Sequence, residues 1–165
     1  MNIRRAEEKD IETILSLLSQ VLELHAAIRP DYFISGTTKY TAEELSSMVR
    51  DDLNPIWVAA DENDSVLGYV FCEIREQPAT NNQKPFRYIY IDDLCVDEKS
   101  RGRHIAGSLF EFVREEAVRL GCYEITLNVW EGNDSARKFY EKMGLRPLKT
   151  TMEFILPGNG SRPAA

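Results

Sequence analysis

Several features are missing from this chain, and each absence argues against one class of protein. Within its 165 residues, no apolar run approaches the roughly 20 residues that a membrane-spanning helix needs. The first residues lack the apolar core of a secretory signal peptide, and no internal repeat is present. These absences predict one domain at residues 1–156 that needs no membrane partner. The Gly- and Pro-rich residues 157–165 are predicted to form a disordered tail.

Cysteine and positive charge are also scarce. Cys72, Cys95 and Cys122 are odd in number, lie in apolar strand-like stretches and lack metal-ligand spacing. They predict buried, reduced thiols in the cytoplasm and no metal site. Lys and Arg number 20 against 27 Asp and Glu, for a net charge of −7. This balance argues against a nucleic-acid partner and is compatible with cationic substrates.

The apolar stretches that are present alternate between helical and strand periodicity. Strands are predicted at residues 3–6, 56–60, 66–76, 86–96, 124–129 and 148–156. Helices are predicted at residues 8–25, 41–53, 105–120 and 133–143, the second opened by a Thr41–Glu44 capping box. The pattern indicates a mixed α/β fold, in which one twisted mixed sheet of six to seven strands carries helices on both faces.

Residues 91–109 combine an apolar strand, a basic loop and the start of a helix. The first N–H groups of a helix lack intrahelical partners, and the helix dipole adds positive potential there. Arg101 and Arg103 supply charge, and small residues allow a ligand to approach the backbone closely: Gly102, Ala106, Gly107 and Ser108. The segment predicts a phosphate-binding site. It contains neither the Gly-x4-Gly-Lys-Ser/Thr loop nor the Gly-x-Gly-x-x-Gly pattern of other nucleotide-binding modules.

Two motifs follow one another in the second half of the chain: Arg101-x2-His104-x-Ala106 and Asn133-x6-Tyr140-x3-Gly144-Leu145. Together they resemble the GNAT family of acetyl-CoA-dependent N-acetyltransferases. The phosphate loop of that family reads Gln/Arg-x-x-Gly-x-Gly/Ala, and its later signature reads Asn-x6-Tyr-x3-Gly-Phe. The resemblance covers residues 2–156. His104 departs from the pattern by replacing the central glycine of the loop. Either its β-carbon narrows the pyrophosphate cradle, or its imidazole faces the phosphates.

The resemblance implies which residues hold acetyl-CoA as co-substrate. The strand before the loop would carry a bulge, and its backbone at Leu94 and Val96 would pair with the pantetheine arm. The loop N–H groups would hold the pyrophosphate. Asn133 would hydrogen-bond the pantetheine arm, although a plain helix N-cap is the alternative. The full predicted set is Leu94, Cys95, Val96, Arg101, Gly102, Arg103, His104, Ile105, Ala106, Gly107, Ser108, Asn128, Asn133 and Tyr140.

Three residues are candidates for proton transfer. Tyr140 lies seven residues after Asn133, close to the same helix face, and could protonate the departing thiolate; the alternative is a core tyrosine. Asp92 and Asp93 lie beside the expected bulge, where one could act as a base through water and the other as a structural hydrogen-bonding group. Asn128 occupies a position where relatives that acetylate peptide N-termini carry a glutamate, and an amide cannot act as that base.

The acceptor site is predicted from the variable first half and from one strand residue: His25, Tyr32, Phe33 and Tyr90. His25 could instead be a satisfied core residue, and Tyr90 could simply pack under a helix. The resulting prediction is an enzyme that acetylates the primary amine of a small cationic molecule by direct attack on the thioester, with a possible homodimer. The alternatives are a peptide or protein N-acetyltransferase, or a non-catalytic acyl-CoA sensor.

Overall fold

The structure, a computed structural model, describes residues 1–158, so most of the expected tail at 157–165 lies outside the described residues. Its elements are β1 (Asn2–Arg5), α1 (Ile11–Ile28), α2 (Ala42–Met48), β2 (Ile56–Ala60), β3 (Val66–Gln77), β4 (Phe86–Val96), α3 (Ile105–Arg119), β5 (Glu124–Leu127) and α4 (Asp134–Lys142). Single 3₁₀ turns at Glu8–Asp10 and Glu98–Ser100 precede α1 and α3. The Thr41 side chain and that of Glu44 form the predicted capping box of α2.

One mixed sheet has the strand order β1-β2-β3-β4-β5. The first four strands are antiparallel to their neighbours, whereas β5 runs parallel to β4 after the α3 crossover. A parallel neighbour requires such a crossover, because a tight hairpin can join only antiparallel strands. The mixed α/β class is therefore confirmed, with five strands among residues 1–158 in place of the six to seven predicted.

Two apolar clusters occupy the two faces of the sheet. The first cluster packs α3 against side chains such as Val70, Ile89 and Ile91, and residues of β5 and α4 extend it. The second cluster packs α1 and α2 against side chains such as Tyr69 and Phe71. Because successive residues of a strand point to opposite faces, strands β2, β3 and β4 supply side chains to both clusters. Helices therefore cover both faces, as the sequence predicts.

Helix α1 has an unusual composition for its position. By length and composition alone, Glu8–Ile28 could cross a membrane, with a mean hydropathy of 1.4. In the structure its residues Ile14, Leu17 and Leu18 are buried in the second cluster, against the sheet. One face of α1 therefore packs against the sheet, and 28% of the apolar segment is buried.

Two sequence-based expectations fail in the structure. Residues 148–156, predicted as the last strand, form no strand. Four apolar side chains of this segment are largely exposed: Leu148, Met152, Phe154 and Leu156. An Arg29–Glu153 ion pair of 3.0 Å ties this segment to the end of α1, and β5 is only four residues long. The segment therefore contacts the end of α1 through Glu153 and does not extend the sheet. The prediction of three buried thiols also fails, because Cys122 is only partly buried, next to the exposed turn after α3.

Candidate active site

A β-bulge in β4 shapes the centre of the sheet. Phe71 of β3 pairs with Asp93, but the next residue, Cys72, pairs with Ile91, so Asp92 has no opposite partner. Two successive side chains consequently turn to the face covered by α1 and α2. There Asp93 contacts Tyr69, and Asp92 contacts Tyr40. A bulge redirects a strand in this way wherever one residue is inserted between paired positions.

The same bulge marks where β4 leaves β5. The parallel pairing runs from Tyr88 to Ile91 of β4 and stops there. Residues 92–96 of β4 have no strand partner on this side among residues 1–158, so the N–H and C=O groups of alternate residues, those that do not bond to β3, face the side that β5 leaves open. Such an edge can bind an extended ligand that carries amides in line. This is the position predicted for the pantetheine arm, at Leu94 and Val96.

Asp93 is the carboxyl group whose protonation the fold changes most. The Tyr69 hydroxyl donates to its Oδ2 at 2.9 Å, and α1-side packing removes much of its contact with water. Burial raises the pKa of Asp93 from 3.8 to about 6, although the Tyr69 hydrogen bond opposes this. A carboxylate with such a pKa is mostly ionised at neutral pH and can still accept a proton, as a general base must.

Asp92 has a different environment, dominated by the loop between α1 and α2. Its Oδ2 accepts from Lys39 Nζ at 2.6 Å and from the Tyr40 hydroxyl at 3.0 Å. The Tyr40 ring stacks on Phe71, with centroids 5.7 Å apart, and this fixes the hydroxyl above the strand. Asp92, Tyr40 and Phe71 line a small pocket of about 100 Å³ together with Glu73.

Tyr140 approaches the same open edge from the other face of the sheet. It lies on α4, packs against the first cluster and contacts the Phe139 ring at 5.0 Å between centroids. Burial raises the pKa of Tyr140, and the negative charge of Asp93 raises it further. Its phenol therefore keeps its proton at neutral pH and is able to donate it. The packing role and the proton-donor role are compatible at this position.

The basic loop and the start of α3 have the backbone form expected of an anion site. Arg101, Gly102, Arg103 and His104 are exposed, and the helix begins at Ile105. Gly102 and His104 have φ values of 79° and 64°, in the left-handed region. That conformation is ordinary for glycine and uncommon for histidine, so His104 keeps the backbone form of the glycine it replaces.

The His104 side chain lies over the first turn of α3. A β-carbon built on Gly107 would come within 2.9 Å of His104 Nε2, so the imidazole uses the space that a side chain at 107 would fill. This placement packs the imidazole against the first turn of α3, and both alternatives for His104 stay predictions. The side-chain hydroxyl and the N–H of Ser108 both donate to the His104 carbonyl, at 3.2 and 3.0 Å.

The remaining residues predicted to bind the co-substrate differ in what their side chains contact and in how far they are buried. The Cys95 thiol faces α1 and contacts the Leu17 carbonyl at 3.7 Å, so it points away from the open edge of β4. Asn133 Oδ1 accepts from the Ala136 N–H at 3.2 Å, the contact of a plain N-cap. Asn128 donates to the Tyr90 hydroxyl at 3.1 Å. Ile105 and Gly107 are buried, which leaves their backbone groups to contact a ligand, while Ala106 is partly exposed.

An aromatic cluster brings together the end of α1, the loop after it and the segment after β5. The Phe33 ring lies 5.3 Å from both His25 and Trp130, and Tyr32 lies 5.0 Å from Trp130. The Arg29 guanidinium lies 5.6 Å from the Tyr32 ring. Burial lowers the pKa of His25, and the positive charge of Lys39 acts in the same direction, so His25 is neutral at neutral pH.

The sequence did not identify Lys39, Tyr40, Tyr69 or Trp130 as parts of this site. Lys39 and Tyr40 belong to an irregular loop whose path depends on the packing of α1 and α2. Tyr69 lies in a strand whose apolar pattern predicts a core position, and its hydrogen bond to Asp93 depends on the bulge. Trp130 lies three residues after the end of β5, and its position shortly before the second motif was the one available clue. Tyr90 joins the site through Asn128, and the Arg75 guanidinium lies 4.0 Å from its ring centroid.

Comparison with known proteins bears on this geometry. Residues 21–145 match the acetyltransferase (GNAT) family. The chain belongs to the GNAT family. This GNAT chain is similar to a mutant form of the BH1408 protein from Bacillus halodurans, with a TM-score of 0.90 and 31% identity, over 94% of this chain and 99% of that one. The chain is accordingly an acyltransferase enzyme of the N-acetyltransferase type.

Two curated GNAT relatives have named acceptors. Peptidyl-lysine N-acetyltransferase YjaB of Escherichia coli is 25% identical over 149 residues, covering 88% of this chain and 82% of that protein. Thialysine N-epsilon-acetyltransferase of Sus scrofa is 34% identical over 62 residues, covering 38% of this chain and 36% of that protein. GNAT enzymes use acetyl-CoA as co-substrate, and the free β4 edge beside an exposed basic loop and helix start fits a long ligand with amides and phosphates.

Proposed function

We propose that this GNAT enzyme acetylates the primary amine of a small cationic molecule by direct attack of that amine on the thioester. The observation that carries the proposal is the carboxylate pair Asp92 and Asp93, which the bulge turns to one face beside the free β4 edge. An alkylammonium has a pKa of about 10.4, so its acceptor site needs negative charge to attract it and a base to remove its proton. The pair supplies both.

The two carboxylates have separate tasks in this proposal. Asp92, with Glu73 beside it in the same pocket, attracts the ammonium. Asp93 accepts the proton from the amine, directly or through one water. Tyr140 protonates the thiolate as it leaves. The free edge at Leu94 and Val96 orients the pantetheine arm, and the loop from Arg101 to His104 with the first turn of α3 holds the phosphates.

The peptidyl-lysine specificity of the YjaB relative supports a second candidate acceptor. A lysine side chain on a peptide is also a cationic primary amine, so the same carboxylates serve it. Asn128 in place of a glutamate still argues against peptide N-termini. A thiol-release assay over diamines, polyamines, aminoglycosides, free lysine and lysine-containing peptides separates these candidates. Turnover of peptides with an acetylated N-terminus and a free lysine side chain, with no turnover of small amines, would overturn the small-molecule assignment.

The third alternative, a sensor that binds acyl-CoA without turnover, is tested at Tyr140. Tyr140→Phe keeps the ring and removes the proton donor, so kcat is expected to fall about 10²-fold in the thiol-release assay. Phe139→Leu, a change to the neighbouring ring on α4, is the matched control for altered packing. Coenzyme A binding, measured by thermal shift, is expected to persist in Tyr140→Phe. An unchanged kcat would assign the phenol to packing alone.

We further propose that residues 148–156 mediate a homodimer. Alternate residues 148, 152, 154 and 156 are apolar and 62–85% exposed, as in a strand whose partner comes from elsewhere. Antiparallel pairing of this segment with the same segment of a second copy, centred on Thr151, places Lys149 opposite Glu153 of the partner subunit. A twofold contact must be self-complementary in this way.

A further inference from the structure

The acceptor side of the cleft already holds a primary amine, which belongs to the chain itself. Lys39 Nζ lies 2.6 Å from Asp92 Oδ2, the oxygen that also accepts from the Tyr40 hydroxyl. The Asp92 side chain is 17% exposed and that of Lys39 is 43% exposed, so the ammonium enters the cleft from the solvent side. Lys39 is therefore neither a distant surface charge nor a core residue.

The position of Lys39 matches that required of an acceptor amine. Lys39 contacts Asp92 directly, and its charge also lowers the pKa of Asp93 and of His25, so the ammonium lies within electrostatic range of both. Its long, flexible side chain projects from the loop between α1 and α2, and a lysine amine becomes a nucleophile once it loses its proton. An incoming cationic amine must displace Lys39 to reach Asp92.

We propose that Lys39 is an internal acceptor: its ammonium occupies the acceptor-amine position at rest, and the active site of the same chain acetylates it when acetyl-CoA binds without a competing amine. This inference rests on the proposed function, since it uses the same site and co-substrate.

The self-acetylation step balances without any further reactant. The Lys39 ammonium gives one proton to Asp93, and the Nζ lone pair forms a bond to the thioester carbonyl carbon. The carbon–sulfur bond then breaks, the thiolate takes a proton from Tyr140, and the resulting phenolate takes the second proton of the acylated nitrogen. The products are Nε-acetyl-Lys39, coenzyme A as the thiol, and one proton released to solvent when Asp93 returns to its starting state.

Acetylation of Lys39 changes the acceptor site. A neutral amide cannot form an ion pair with Asp92, so the loop between α1 and α2 loses one of its two contacts to this carboxylate and keeps that of Tyr40. The negative charge at Asp92 then becomes available to an external ammonium. The modified chain is expected to bind cationic acceptors more tightly than the unmodified one, so that self-acetylation acts as an activating step.

The test is incubation of the full chain with acetyl-CoA and no acceptor, followed by intact-mass and peptide mass spectrometry. The expected result is one acetyl group per chain on Lys39, with a first-order rate constant independent of protein concentration. Lys39→Arg keeps the ion pair and is expected to remain unmodified. Lys9→Arg is the matched control, because Lys9 is also a half-exposed lysine paired with one aspartate, Asp64, outside the cleft.

Two further measurements separate this reaction from chemical acetylation of surface lysines. Tyr140→Phe and Asp93→Asn are each expected to slow the modification of Lys39 at least about tenfold, because they remove a proton-transfer group. Lys39→Gln, which mimics the acetylated side chain, is expected to lower KM severalfold for the best cationic acceptor in the thiol-release panel.

Each contrary outcome has a distinct meaning. If external amines are turned over while Lys39 stays unmodified, the inference fails and the proposed function stands. If Lys39 is acetylated equally fast in Tyr140→Phe and Asp93→Asn, the modification is not catalysed by this site, and the inference fails again. If coenzyme A gives no thermal shift and no amine is turned over, both fail.

Discussion

Single residues of the cleft differ in how firmly they hold a proton. Asp93 has a raised pKa of about 6 because burial disfavours its charge, whereas Tyr140 retains its proton because burial and the charge of Asp93 both raise its pKa. The two groups are therefore set apart as a base and an acid near neutral pH, although neither has the pKa that its residue type shows in water. Pairs of this kind are frequent in sites that transfer protons.

The pH profile of catalysis depends on the protonation state of Asp93. Asp93 must be ionised to accept a proton, so kcat/KM is expected to rise with pH and level off above about pH 6. Asp93→Asn is expected to lower kcat about 10²-fold or more and to abolish this acid limb. Asp92→Asn is the matched control, expected to raise KM mainly and to keep the limb. An acid limb that survives in Asp93→Asn would transfer the base role elsewhere.

A second prediction concerns stability, again through Asp93. Its pKa in the folded chain exceeds the ordinary value of 3.8, so the folded chain binds this proton more tightly than the unfolded chain does. Its stabilising contribution is therefore present below about pH 4 and is lost as pH rises past about 6. Asp93→Asn is expected to gain up to about 3 kcal/mol in the free energy of unfolding at pH 8 relative to wild type.

Urea unfolding at about pH 8 and about pH 4.5 checks this expectation. The advantage of Asp93→Asn should shrink at the lower pH, where the wild-type carboxyl is mostly protonated. Asp52→Asn, a change to a fully exposed carboxylate, controls for the general loss of one negative charge. An equal advantage at both pH values would mean that burial does not perturb Asp93.

Secondary-structure elements differ in how far the sequence predicts them. The bounds of β2 and β4 match the prediction at every residue, because alternating apolar side chains and polar turns define both ends. Helix α2 stops at Met48, short of the predicted Leu53, because Asp51 Oδ1 accepts from the Leu53 N–H and starts a turn. The local sequence pattern predicts which helices and strands form, whereas long-range contacts determine the path of an irregular segment.

The candidate site shows the same division. The anion loop, the helix N-cap at Asn133 and the two aspartates at the bulge follow from contiguous motifs. The contacts of Lys39 and Tyr40 with Asp92 join residues more than 50 positions apart, and no local pattern predicts them. Residues 148–156 have the alternation of a strand, but an unpaired segment needs a partner strand that this chain does not offer it.

The start of α3 supports a prediction on two coupled residues. Gly107→Ala alone places a β-carbon 2.9 Å from the ring of the exposed His104, so the imidazole must rotate away and the expected cost is below about 1 kcal/mol in the free energy of unfolding. In the His104→Gly background that contact is absent, and alanine is favoured over glycine in a helix by up to about 1 kcal/mol. The same substitution is therefore expected to be neutral or stabilising there.

A double-mutant cycle by thermal or urea unfolding measures this coupling. Coenzyme A affinity, followed in the same four proteins, reports on the anion site: His104→Gly is expected to keep or tighten binding. A large loss of affinity in His104→Gly would show that the imidazole contacts phosphate. Additive effects of the two substitutions on stability would contradict the packing of His104 on Gly107.

At the scale of the whole molecule, apolar side chains are unevenly covered. The two clusters are closed by helices on both faces of the sheet, but residues 148–156 expose four large apolar side chains in one short segment. Such a patch in a folded chain commonly marks an interaction site. The proposed homodimer covers this patch with its own copy.

Light scattering coupled to size exclusion tests the oligomeric state. The wild-type chain is expected to have the mass of a dimer, and the double variant Met152→Glu with Phe154→Glu that of a monomer, because two carboxylates would lie in an otherwise apolar contact without a positive charge opposite them. Val118→Glu changes a similarly exposed apolar side chain on α3 and is expected to leave the dimer intact. A monomeric wild type at micromolar concentration would contradict the proposal.

The bulge at Asp92 also bears on how such a site can arise. On either side of it, β4 keeps strict even–odd parity with β3, and the bulge absorbs the single surplus residue. Removal of Asp92 would leave Ile91, Leu94 and Cys95 on their present faces. The packing of the core therefore does not depend on Asp92, whereas the cleft gains a second carboxylate from this residue. An insertion of one codon in a preexisting strand is sufficient to produce the doublet.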